Sequence, residues 1–449
     1  MNNTVASTGW WRARAGDSPP AAGTARAAQD RALRYPFWAL TAFTLVMILA
    51  PQNYFPVLKP LHIALVTGAF ASGAYLMSRF SGTTLPPRHS PAMMYGAFLF
   101  VWAVLLVPFS LWPGGSFGTI FNVFVKALII FWLLGRVVNS VHRLGTVAWL
   151  LSLISIPLSL SAVMAFLHGG MGNADLTHGL ERITGYDAGL TSNPNDLALM
   201  INLTLPLTVG LLLSARRKIV CVSLALVALL DVVAVVLTYS RGGFITLIVI
   251  VGAYLACLKG RARIGLVMIL LSFGLVAIPM IPSGYWSRLD TITDIQADRT
   301  DSAQQRWAGM VDATKIVAAH PVIGAGAGMD ILALNEVRGD TWRHVHNIYL
   351  EYAVDLGIPG LLLFLLLYYR ALKSASAARR LAAGRLEHAR LYRLSEGIWI
   401  ALIAFGVSAF FHPVAYEFYF YYFAGLAVAV GVIAANIKDQ VIIGKSAKL

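Results

Sequence analysis

Residues 219–239 read IVCVSLALVALLDVVAVVLTY, an unbroken apolar run whose one charge is Asp231. A helix needs roughly 20 apolar residues to cross a hydrocarbon core about 30 Å thick. Arg216, Arg217 and Lys218 precede the run, and Arg241 follows it. That pairing of a membrane-length segment with flanking basic residues recurs along the chain and decides the fold class.

Working outward, candidate spans fall at 36–50, 57–78, 92–112, 118–135, 145–167, 195–214, 219–239, 243–258, 264–281, 347–369, 397–412 and 417–436. Of the 449 residues, 58% are hydrophobic and 12% charged. Soluble domains run at about 45–50% and about 25%. The expected fold is an all-α polytopic membrane protein of about 12 transmembrane helices. A β-barrel would show short alternating segments instead. The run Pro36 to Ala50 has the length of a signal-peptide core, but Pro51-Gln52-Asn53-Tyr54 offers no small-residue cleavage site, so it reads as an uncleaved first span.

The net charge of +14 does not point to nucleic acid, because no basic, aromatic-studded soluble module is present. Most of the Lys and Arg residues instead sit in alternate short loops and both tails, as the positive-inside rule requires of cytoplasmic segments. Both termini are therefore expected in the cytoplasm. The organisation follows: a tail at 1–35, nine spans over 36–281, one large outer loop at 282–346, three spans over 347–436 and a tail at 437–449. A smaller outer loop covers 168–194. Within the large loop, Thr300 to Ala319 has helical periodicity, with Trp307, Met310, Val311, Val317 and Ala318 on one stripe, and Gly324, Gly326 and Gly328 end it. Cys221 and Cys257 form no metal pattern and read as packed thiols.

Chemistry is expected where polar residues meet the membrane. Arg241, in Tyr239-Ser240-Arg241-Gly242-Gly243, sits at the outer end of one span against the positive-inside trend. A membrane-edge charge is costly and marks a functional site by default. A guanidinium fork suits phosphate or pyrophosphate, and the glycines are expected to let a headgroup approach. An interfacial snorkelling arginine would explain the same residue. Arg306 lies in the helical stripe of the loop; Arg288 and Arg299 are weaker candidates. His346, beside Asn347, opens the tenth span, where helix N–H groups attract phosphate and the dipole keeps a histidine neutral, as a general base must be. Its alternative is an interfacial hydrogen-bonding role. Asp290, Asp294, Asp298 and Asp301 would form one acidic helix face, which reads as solvated surface. No metal-ligand cluster is legible, and no cofactor is expected.

These pieces resemble the O-antigen ligase/polymerase superfamily of bacterial inner-membrane glycan transferases. The resemblance rests on Asn193-Pro194-Asn195-Asp196-Leu197-Ala198, on Tyr239-Ser240-Arg241-Gly242-Gly243, on Arg306 followed by His320-Pro321-Val322-Ile323-Gly324-Ala325-Gly326, and on His346-Asn347-x-x-Leu350 with Gly357-Ile358-Pro359-Gly360. It implies a periplasmic active site in the inner membrane, an undecaprenyl-pyrophosphate-linked glycan as donor, and an inverting, metal-independent transfer. His346 would be the base, with Arg241 and Arg306 stabilising the departing pyrophosphate. Arg288, Asn347 and Asn195 would join Arg241 and Arg306 in binding substrate. A lipid A–core sugar is the expected acceptor. Protein-glycosylating members carry an extra C-terminal domain, whereas here little beyond Ala434 follows the last span, so a ligase is favoured. A polymerase or other oligosaccharyltransferase of the superfamily is the alternative. A flippase for the same carrier would want charges along a mid-membrane path, where the spans hold few besides Lys126 and Asp231.

Overall fold

The computed structural model describes residues 28–82, 88–167, 193–260, 302–339 and 342–446, with a few single positions between 183 and 191 and between 263 and 268. The described residues are helical, with no strand among them. In chain order the helices are α1 (Arg34–Leu49), α2 (Ile63–Phe80), α3 (Pro91–Leu105), α4 (Pro113–Val137), α5 (Val141–Leu167), α6 (Pro194–Ser214), α7 (Lys218–Leu237) and α8 (Arg241–Cys257). Then follow α9 (Ser302–Ala319), α10 (Asp330–Arg338), α11 (Ile348–Ala382), α12 (Ala389–Ser408) and α13 (Phe418–Ser446).

Eight helices among the described residues are long and apolar enough to cross a membrane, among them α4 to α7, α11 and α13. The shorter apolar helices α1, α3 and α8 coincide with three more of the expected spans. Residues 269–301, which hold most of the expected span at 264–281, Arg288, Arg299 and the aspartate stripe, lie outside the described residues. The chain thus reads as a multi-pass membrane protein.

Burial sorts the helices. The apolar window of α13 is 83% buried and that of α6 78%, against 11% for the span that contains α2. The centre is therefore α6, α11, α12 and α13, packed on one another, while α2 shows its apolar surface outward, as a lipid-facing helix does. Asp231, fully buried on α7, accepts hydrogen bonds from Ser155 (3.0 Å) and Ser159 (2.6 Å) of α5. A buried polar group is tolerable when so bonded. The aspartate fastens two helices.

The polar stretch before α11 forms a cap on one end of the bundle. Helices α9 and α10 share a small core of their own, Ala313, Ala325, Met329, Ala333, Leu334, Val345 and Val354. The buried stripe of α9 runs through Gly309 and Ala313 to Ile316 and Val317. Trp307, expected on the packed stripe, is 58% exposed instead, and Val311 is exposed as well. Ala313 packs in the cap core with Val354 of the α11 segment, and the large residues Trp307 and Val311 fall on the outer face. The cap's surface charges satisfy each other: Asp312 pairs with Lys315 and Arg338, and Arg343 donates to Gln305.

The cap is joined to the bundle through a break in α11. Gly357 interrupts the helix at φ 67°, ψ −179°, a region essentially reserved for glycine. Pro359 follows and has no N–H to give, so the carbonyl of Asp355 loses its partner four residues on. Three carbonyls are freed at the break. Val354 O accepts from the amide of Ala325 and Asp355 O from that of Gly326, each at 2.8 Å, and Leu356 O accepts from the Trp102 indole at 2.8 Å. In return the amide of Ile358 donates to Pro321 O at 2.8 Å. The sequences Pro321-x-x-Gly324-x-Gly326 and Gly357-x-x-Gly360 are two halves of one backbone contact. A Cβ at Gly324 would lie 2.3 Å from Val354 O, and one at Gly357 2.3 Å from Val322 O. Gly357→Ala is therefore expected to cost about 2–3 kcal/mol or more. Thermal unfolding of the detergent-purified variant checks this; an unchanged midpoint would contradict it.

Candidate active site

Four helix N-termini meet around the turn 409–417, which links α12 to α13. The amide of Ile348, first residue of α11, donates to Ala409 O at 2.8 Å. Phe411 packs on Gly242 of α8. His412 places Nε2 3.1 Å from Asn195 O of α6 and Nδ1 2.9 Å from Ser408 O, and the ring N–H donates to one of these two carbonyls. Helix α13 itself starts as the turn ends. Each N-terminus presents N–H groups and a partial positive charge. Gathered at one end, they make a region suited to an anion.

Local sequence explains each start. At α6 the side chain of Asn193 accepts from the Asn195 amide at 2.8 Å, with Pro194 at the first position. At α8 Tyr239 turns the chain at φ 53°, and the Ser240 hydroxyl accepts from the Gly243 amide at 3.2 Å. Arg241 is then the first helical residue and is half-buried. The glycines after it, expected from sequence to let a headgroup approach, face protein instead. A Cβ at Gly242 would lie 2.9 Å from Phe411 Cβ, and one at Gly243 2.7 Å from Ala198 Cβ. They are small so that α8 can seat against α6 and the turn, with Asn202 of α6 donating to Gly243 O at 2.9 Å.

At α11, Asn347 is the cap. Its side-chain oxygen accepts from the amides of Tyr349 (3.0 Å) and Leu350 (3.2 Å), and its Nδ2 contacts Met310 Sδ at 3.7 Å. The side chain expected to bind substrate is engaged in holding α11 to α9. His346, one residue earlier, is half-buried, and its Nδ1 lies 2.9 Å from His344 O. A carbonyl only accepts, so Nδ1 carries the proton and Nε2 keeps the lone pair. Burial first, and then the Arg306 guanidinium, push the ring down to about 4, against the opposing bond to His344. At neutral pH the imidazole is uncharged.

Arg306 belongs to the inner face of α9, one turn before Gly309. Its charge acts on His346 and also on Asp196 at the start of α6. The structure thus brings Arg306 and His346 together, with Asn195 and Asp196 adjoining them through His412. Arg241 lies at the same end, on α8. His344 turns its Nδ1 to Asp330 at 3.0 Å.

Three ionisable neighbours escaped the sequence reading. Asp196 interacts with His412 and Arg306, His412 with His346, and Glu417 with Asp196 and His344. A signal for His412 and Glu417 was present: both stand in a short connection between two apolar spans, on the side that carries Arg241. A fourth omission is a cluster of buried acids, Asp330, Glu351 and Asp355, whose ligand oxygens lie within 4.8 Å of one another. Their sequence spacing matches no metal motif, because the kinked α11 and the cap bring them together.

A cavity of about 500 Å³ lies elsewhere, lined by Asp30, Arg88, Arg136, Asn139, Asp439 and others. It reaches Val432 to Gln440 of α13, roughly 20–30 Å along the helix from its start at the turn. Its arginines are engaged locally: Arg88 pairs with Asp439 and Arg136 donates to Arg88 O. It is a separate, charge-lined hollow at the opposite end of the bundle.

Among curated proteins nothing matches the chain. A family model described as O-antigen ligase matches residues 224–365. That stretch runs from α7 through α8 and the cap into α11, and so contains Arg241, Arg306, His346 and the glycine contact. Over that stretch, about a third of its length, the chain is similar to an O-antigen ligase domain.

Proposed function

We propose that this protein is an O-antigen ligase of the bacterial inner membrane. It moves a glycan from an undecaprenyl-pyrophosphate carrier to a sugar of lipid A–core at the periplasmic face, with inversion and without a catalytic metal. The observation that carries the reading is the pairing of Arg306 with a neutral His346 at the cluster of helix N-termini. In the transfer, the acceptor hydroxyl oxygen attacks the anomeric carbon and its proton passes to His346 Nε2. The bond from that carbon to the phosphate oxygen breaks on the opposite face. The pyrophosphate leaves with the bonding electrons, held by Arg241, Arg306 and the helix N-termini. Arg288 remains a candidate for the same anion.

The pairing also gives the base a switch. With the Arg306 charge beside it, His346 is a weak base. A pyrophosphate on Arg306 cancels the charge that depresses the ring, so the base strengthens when the donor is seated. The sign follows from the cause. His346 is neutral above about pH 4 and gains its proton only as pH falls through that value. Without Arg306 the pKa rises and the neutral form is lost at higher pH. In donor-free Arg306→Gln protein, the His346 titration followed by NMR should have a midpoint above the wild-type value. An equal midpoint would remove Arg306 from the causes.

The lipopolysaccharide profile of a deletion strain tests the function itself. Loss of a ligase leaves core without O-chain while carrier-linked polymer accumulates. A single repeat unit on core would indicate a polymerase. Repeat units stranded on the cytoplasmic side would indicate a flippase.

A further inference from the structure

The acid cluster beneath the cap poses a charge problem. Asp330 of α10 and Glu351 and Asp355 of α11 are 0%, 4% and 0% exposed. Their cationic contact is His344, on Asp330 alone; the neighbouring Arg338 is taken by Asp312. Backbone amides point at all three. Gly328 (2.6 Å) and Met329 (3.1 Å) donate to Asp355, Val345 (2.7 Å) to Asp330 and Ala415 (3.2 Å) to Glu351. Such bonds favour ionised carboxylates. Three ionised carboxylates at this separation in a water-poor interior would need a counter-charge.

A second observation comes from another element. Tyr416, in the turn 409–417, is 4% exposed and directs its hydroxyl at Asp355, yet that oxygen makes no hydrogen bond of normal geometry. A buried hydroxyl without a partner beside a cluster of acids marks a place for something polar between them.

We infer that Asp330, Glu351 and Asp355 bind a divalent cation of the hard, oxygen-seeking kind, with calcium the best fit. Oxygens on opposite sides of one calcium ion at ~2.4 Å lie ~4.8 Å apart, and at right angles ~3.4 Å. Magnesium at ~2.1 Å would require tighter spacing, no more than ~4.2 Å, and an octahedral set. The ligand oxygens lie within 4.8 Å of one another, a range that calcium accommodates throughout and magnesium only below ~4.2 Å. Water on the ion would give Tyr416 its partner. The ion supplies no step of the transfer. It neutralises the acids and fastens α10 of the cap to α11 of the bundle, so the inference stands apart from the proposed activity.

The test uses full-length protein in detergent, stripped with EDTA, and unfolded thermally in CaCl₂, MgCl₂ or EDTA at equal ionic strength. Calcium should raise the midpoint saturably, by about 3–5 °C at concentrations well above Kd, and magnesium by less. Glu351→Gln keeps the shape and removes one charge; it should abolish the calcium shift, as should Asp330→Asn. Asp312→Asn, at the cap surface, should retain the shift. Metal analysis of wild-type protein equilibrated with calcium should find one tightly held ion. No shift and no bound calcium in wild type would overturn the inference, as would an undiminished shift in both acid variants. The wild-type measurements decide the matter even if a variant fails to fold.

Discussion

A strain whose sole copy carries His346→Ala should make complete core lipopolysaccharide with no O-chain, while carrier-linked polymer accumulates. The expected loss in transfer rate is about 10²–10⁴-fold, the range for removing a general base. The fold gives the residue little structural work. The side chain is half-buried, its one described hydrogen bond goes to the neighbouring His344 carbonyl, and the cap of α11 is Asn347. The variant should therefore accumulate folded and in normal amount. Normal O-chain in that strain would remove His346 from the chemistry. A variant absent from the membrane would be repeated as His346→Gln, which keeps a polar side chain there without the base.

Arg241→Lys should be nearly as damaging as Arg241→Ala, each losing about 10²–10³-fold, as the loss of a charge-stabilising donor does. A pyrophosphate presents paired oxygens to a planar fork, and an ammonium replaces the charge but not the two parallel bonds. The start of α8 does not depend on the arginine for its shape. Ser240 caps it, and Gly242 and Gly243 seat it against Phe411 and Ala198. Both variants should fold, so the comparison reads chemistry. Full transfer by the lysine variant would make Arg241 an interfacial anchor.

The helices were legible because apolar length is a one-dimensional property: α4 to α7 and α11 to α13 fall close to where hydropathy puts them. The ends were less so. Helix α13 continues to Ser446, well past its apolar run, and α11 to Ala382, because helical backbone does not stop where lipid does. Among the candidate site residues, Arg241, Arg306 and His346 stood out as polar side chains at the membrane edge. Asn347 also stood out, but side-chain identity does not tell whether an asparagine binds a ligand or caps a helix, and the cap is what the hydrogen bonds show. The glycines after Arg241 suggested room for a substrate, whereas the space is filled by Phe411, about 170 residues away in sequence. His412, Glu417 and the acids at 330, 351 and 355 share that difficulty. Their neighbours come from other helices, and sequence spacing carries no trace of them.

The broken helix α11 has a consequence for inheritance. Two of its missing internal bonds are replaced by amides from the glycine loop at 321–328, and the loop in turn receives the Ile358 amide. Neither segment has a satisfied backbone without the other. Residues from His320 to Gly360 therefore form one unit of exchange. Diversification of acceptor or donor preference within such a family must work around it, by changing side chains on the outer faces of α9 and α10, and a chimera that splits it would join two halves of different turns.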